Sequence, residues 1–90
     1  MTNTLTDSQR LQKVLDALDL TANKLSVKLN YASPAAIYHV LTGKNKLSRS
    51  MIEKIIEYYP SVNYKFLKSG EGEIILDDVQ KRNQMNLIVS

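Results

Sequence analysis

Residues 21–43 read TANKLSVKLNYASPAAIYHVLTG, and the spacing of their apolar positions decides the fold class. Ala22, Leu25, Ser26 and Leu29 recur at i, i+3, i+4 and i+7, which is one face of an α-helix opening after Thr21, a natural capping residue. A second helix is expected over residues 33–42. Ser33 is placed to cap it, and Pro34 falls at the first helical position, where a missing N–H costs nothing. Its apolar stripe, Ile37, Val40 and Leu41, is narrow, so Ala35, Tyr38, His39 and Thr42 point away from it. Gly43 supplies the left-handed backbone that commonly ends a helix. The second helix is thus buried on one side and offered to a partner on the other.

Charge indicates the kind of partner. Between Leu20 and Ile52 there is no Asp or Glu, yet Lys24, Lys28, Lys44, Lys46 and Arg49 all lie there. That stretch counts +5, leaving −2 for the remainder of a chain whose net charge is +3, so the whole basic surplus is local. A one-signed field of this kind attracts polyanions. Lys44-Asn45-Lys46, brought round by the turn at Gly43, is expected close to the outward face of the second helix. Lysines so placed are drawn to phosphates without reading sequence.

The flanking segments read as scaffold. Thr6-x-x-Gln9 has the spacing of a capping box, and Leu11, Val14, Leu15 and Leu18 form the buried stripe of a first helix. Gln9, Arg10, Gln12, Lys13 and Asp16 are expected on or near its wet side, with Arg10 and Lys13 open to an occasional phosphate contact, and residues 1–5 are expected as a loose arm. A fourth helix begins at Ser48 or Ser50, buries Met51, Ile52, Ile55, Ile56 and Tyr59, and stops at Pro60. A fifth fits residues 62–69, capped by Asn63, with Val62 placed to staple onto Leu67 and Phe66 turned inward. Gly70 and Gly72 provide the exit turn, and Ile74-Ile75-Leu76 could cover the bundle or meet another copy. The organisation expected is a domain over residues 1–76 and a C-terminal tail or linker over 77–90. The latter ends in Leu87-Ile88-Val89, either an interaction patch or the start of something further.

Ninety residues form one small domain that buries about 60–65% of its unfolded surface, leaving little room for a deep active-site cavity. The chain has no cysteine, which removes disulfide and thiolate chemistry and fits a reducing interior. No stretch approaches bilayer length, and the start, MTNTLTD, lacks a basic segment and an apolar run, so a soluble, cytoplasmic protein is expected. Its single histidine, His39, has no second ligand at metal spacing. No catalytic residue, metal or cofactor is therefore expected, nor an enzyme.

The run LTANKLSVKLNYASPAAIYHVLTGKNKLS, followed by an apolar helix and VNYKFLKSGEGEI, resembles the phage repressor and Cro-type helix-turn-helix domains over residues 11–75. The most specific matches are Leu25 and Leu29 before the turn, Ile37 and Leu41-Thr42-Gly43-Lys44 after it, and the Val62-Asn63 to Gly70-Glu71-Gly72-Glu73 close. In that close, Phe66 replaces the family's usual Trp. The resemblance implies an all-α, compact, lambda-repressor-like bundle of about five helices. It also implies binding to double-stranded DNA as a transcriptional regulator, usually a homodimeric repressor, with the helix over residues 33–42 in the major groove.

Carried over by position, Thr21 and Ala22 match where the family contacts the DNA backbone, and Ser33, Pro34, Ala35 and His39 match its base-reading positions. The expected contacts are accordingly Thr21, Ala22, Asn23, Ser33, Pro34, Ala35, Tyr38, His39, Thr42, Lys44, Asn45 and Lys46. Two departures matter. Asn30 replaces the turn glycine in a turn about one residue longer than usual, and Asn also adopts left-handed backbone. Pro34 and Ala35 stand where long amide or guanidinium side chains often read purines, so affinity is expected from phosphates and DNA shape, with weak direct readout. The rival class is a protein-interaction module, antitoxin-like or co-regulatory. It would offer Ala35 and Tyr38 to a partner protein or further domain.

Overall fold

Side-chain caps set where most of the helices begin. The computed structural model describes the backbone of residues 5–89 and the side chains of residues 5–84. In α1 (Asp7–Leu18) both halves of the capping box form: Thr6 Oγ1 accepts from the Gln9 N–H, and Gln9 Oε1 accepts from the Thr6 N–H. Asp19 ends α1 at φ 56°, a left-handed cap. α2 (Ala22–Lys28) is capped by Thr21, which accepts from the Lys24 N–H at 3.2 Å. α4 (Arg49–Tyr58) is capped by Ser48, which settles the choice between Ser48 and Ser50. In α5 (Tyr64–Ser69), Asn63 accepts from the Lys65 N–H.

The helix after the turn differs from expectation at its start. α3 runs Ala35–Leu41, and Pro34 occupies the cap position with no side-chain hydrogen bond. At φ −78° and ψ 3°, Pro34 completes a turn before the first helical residue. Ser33 still serves the helix start, its Oγ accepting from the Ala35 N–H at 3.3 Å.

All five apolar stripes converge. Leu11, Val14 and Leu15 of α1 meet Leu25 of α2, Ile37 and Val40 of α3, Ile55 and Ile56 of α4, and Leu67 of α5, each almost fully buried. Burying a side chain of this size contributes about 1.5–3 kcal/mol, so the cluster dominates the folding energy. α1 lies across α3 and α5, α2 packs on α3, and α4 packs on α5. Val62 and Leu67 are both buried, as a staple requires. The described residues form six helices and no strand, with one isolated antiparallel bridge between Val62 and Ile75. That bridge lays Ile74 over the core.

The sixth helix, α6 (Asp78–Val89), occupies the stretch expected as tail or linker. Gln84 fastens it, its Oε1 accepting from the Tyr64 N–H at 2.6 Å and its Nε2 donating to the Val62 carbonyl at 2.7 Å. The side chains of Leu87, Ile88 and Val89 lie outside the described residues, as do residues 1–4 of the expected arm. Leu5 does not belong to a loose arm. It is partly buried against the core, and its carbonyl accepts from Arg10. The radius of gyration is 12.5 Å, against about 12 Å for a folded chain of this length.

Arg10 corrects the expectation more sharply. It is buried, at 7% exposure. Its Nε donates to the Leu67 carbonyl at 2.8 Å, and its terminal nitrogens reach Asp7 and the Leu5 and Lys68 carbonyls. A guanidinium holds five donors in a fixed fork, and here that fork joins α1 to the end of α5 rather than reaching solvent. No phosphate can be contacted from this position. Arg10→Ala leaves one Asp7 oxygen and three carbonyls without this donor and is expected to cost about 3 kcal/mol. Urea unfolding measures this, and an unchanged midpoint would show that the fork is not a tie.

Candidate functional site

The outward face of α3 is assembled from its short length and narrow stripe. With Ile37 and Val40 fully buried, a seven-residue helix leaves its other positions to solvent or partial cover. Ala35 and Thr42 are exposed, Tyr38 is 45% exposed, and His39 and Pro34 are half-buried. The Thr42 hydroxyl donates back to the Tyr38 carbonyl at 2.9 Å, leaving only its oxygen lone pairs for a partner. Ser33 is exposed at the helix start, and Asn45 in the following loop.

Lys44, Asn45 and Lys46 are brought to this face by main-chain geometry. Gly43, at φ 82°, turns the chain, and the Asn45 N–H donates to the His39 carbonyl at 3.0 Å, folding the loop back on the end of α3. On the other side of the turn, Thr21 and Asn23 are exposed at the start of α2. Ala22 is corrected: its side chain is buried, at 5% exposure, on the stripe shared with Leu25. Only its backbone remains to touch a partner.

The five cations of the acid-free stretch separate into two groups. Lys24, Lys44 and Lys46 are exposed and have no carboxylate partner among the described residues. Lys28 lies over the Tyr58 ring, 5.9 Å from its centroid, and Arg49 pairs with Glu53 at 2.9 Å. The hydrogen bond to Glu53, then the charge of that carboxylate, raises the Arg49 guanidinium above its ordinary value. A second cation–aromatic contact, Lys54 over Tyr31 at 4.7 Å, holds the turn between α2 and α3 against α4. Burial raises the Tyr31 phenol above its usual value.

Two supporting residues were not legible in the sequence. Ser8 Oγ donates to the Leu41 carbonyl, satisfying one of the orphan acceptors at the end of α3. Asp7 accepts the Leu47 N–H at 2.7 Å while its other oxygen holds Arg10. A stretch without acids in sequence therefore has the Asp7 carboxylate against it in space, already paired with a guanidinium. The first turn of α1 thus fixes both the end of α3 and the loop carrying the lysines. Only the polar character of Asp7-Ser8 hinted at this, and a first-turn Asp is ordinarily explained by the helix dipole.

Comparison with known proteins finds no matching family model, no matching curated protein and no matching solved structure. The site therefore rests on its own geometry. Asn30, at φ 63°, makes the left-handed step that turns α2 toward α3. Asn30→Gly is expected to fold with equal or greater stability, because glycine takes this conformation freely. Asn30→Ala should lose about 1 kcal/mol. Thermal unfolding of the pair measures the difference, and equal midpoints would remove the left-handed step as a constraint.

Proposed function

We propose that the chain binds double-stranded DNA as a transcriptional regulator, acting as a repressor, through a lambda-repressor-like helix-turn-helix formed by α2 and α3. The observation that carries this is the folding of Lys44 and Lys46 onto the end of α3, beside an outward face made of small, polar and aromatic groups. Such a face is slim enough to enter a major groove about 12 Å wide, and the flanking ammonium groups would neutralise phosphates at its edge. Ala35 can meet a thymine methyl, Ser33 can bond base or phosphate, and His39 and Tyr38 reach further. None provides a bidentate contact, so most of the affinity comes from the backbone and the shape of the duplex. A homodimer would set two copies of α3 about 34 Å apart and favour an inverted-repeat operator.

A second reading has one observation in its favour. Val27 on α2 is 77% exposed, and with Tyr38 it gives the α2–α3 side an apolar component that a partner protein could cover. Salt separates the two. Binding to random duplex DNA should fall steeply, by about 0.9 in the log–log slope for each phosphate neutralised, and Lys44→Ala or Lys46→Ala should lower that slope by about one contact. Absence of retention at low salt, or a flat dependence, would transfer the case to the protein-binding reading.

Base preference is tested separately. His39→Ala and Ser33→Ala should shift the ranking among sites selected from a random DNA pool, each changing preference by about 1 kcal/mol at one position. Equal losses on every site would place both residues on the backbone.

A further inference from the structure

A cleft of about 550 Å³ opens between α4, α5 and α6, on residues that the DNA-binding proposal does not use. Its volume lies within the range of sites for small molecules, about 300–1,000 Å³. Arg49, Lys65 and Lys68 line it, against a single carboxylate, Glu53. That carboxylate is engaged with Arg49 Nε, and among the described residues neither Lys65 nor Lys68 has an acidic partner. With Arg49 and Glu53 paired, the cleft is a cationic concavity through Lys65 and Lys68.

Its hydrogen-bonding character has the same bias. Gln84 and Asn63, 9% and 8% exposed, form the floor with their amides already engaged to backbone groups, so they ask nothing of a ligand. On the walls, Gln80 accepts from the Asp77 N–H through its oxygen, and its amide donors have no partner among the described residues. Ammonium groups and free amide donors together call for a ligand rich in acceptors and carrying negative charge. Tyr64 adds a flat wall, with the Lys68 ammonium 5.9 Å from its ring centroid.

We propose that this cleft binds a small organic phosphate, its phosphate among Lys65, Lys68 and Arg49 and its flat apolar part against Tyr64. The ligand would touch both α5 and α6, adding a second link between elements otherwise joined through Gln84. The proposal stands apart from the DNA-binding reading and survives its failure.

The test is a titration of the full chain, isotopically labelled and followed by amide NMR, with adenosine monophosphate, ribose 5-phosphate and adenosine. Adenosine monophosphate is expected to give saturable shifts at residues 64, 65, 68 and 80, with ribose 5-phosphate acting on the same residues and adenosine producing none. Lys65→Gln with Lys68→Gln should weaken binding by about five-fold or more, with the thermal midpoint of the free protein unchanged, whereas Lys44→Ala should bind as the parent does. Three results would overturn the proposal: shifts at residues 44 and 46 as large as those at 65 and 68, adenosine binding as well as its monophosphate, or no saturation by about 10 mM.

Discussion

The pairing of Asp7 with Arg10 joins the first turn of α1 to the two parts of the molecule that matter most. One carboxylate oxygen holds the guanidinium and the other holds the Leu47 N–H. The guanidinium in turn reaches the Leu67 and Lys68 carbonyls at the end of α5. A buried ion pair is no guarantee of stability, since desolvating two charges offsets much of their attraction. Its value here lies in what it positions, because every remaining contact of the pair is to main chain from another element. Without it, the hydrophobic cluster would still favour collapse, but α1 would lose its polar ties to the end of α5 and to Leu47, leaving the Ser8–Leu41 and Asn45–His39 hydrogen bonds to set α1 on α3 and the path of the loop.

The short helices give that fixing its importance. None exceeds twelve residues, and α2 and α3 have seven each. Helices this short are marginal in water by themselves, so they persist through packing and end capping rather than propensity. Exposure of the α3 face and order of α3 therefore have one source: the same narrow stripe that leaves Tyr38 and Thr42 outside is what holds the helix in place. The surface cations are positioned in a comparable way, by a backbone hydrogen bond to His39 and a left-handed glycine, not by contacts of their own side chains.

Local signals in the sequence carried most of this architecture. Apolar spacing identified the stripes of the five bundle helices, and the caps at Thr6, Thr21 and Asn63 were legible because a capping side chain and the N–H that donates to it lie within three positions of each other. Features that depend on distant partners were not legible. Arg10 sits beside Leu11 at a position that local periodicity assigns to the wet side, and its Leu67 partner is 57 residues further on. Ser8 and Leu41 are separated by 33 residues. Nothing local linked residues 78–89 to the bundle, because Gln84 is fastened to carbonyl and amide groups around Val62 and Tyr64. At the candidate site, the exposure of Tyr38 and Thr42 followed from the stripe. So did the burial of Ala22, which stands on the α2 stripe. The contact of Lys28 with Tyr58 joins separate helices and had no local signature.

The location of Arg10's acceptors has a consequence for the order in which the chain is made. Synthesis proceeds from the N-terminus at about 5–20 residues per second, so α1 leaves the ribosome several seconds before the carbonyls of Leu67 and Lys68 exist. During that interval the guanidinium can only be solvated or paired with its neighbour Asp7, and the apolar side of α1 has no α5 to rest on. The nascent molecule therefore waits with α1 uncovered, and its closing step follows the synthesis of α5.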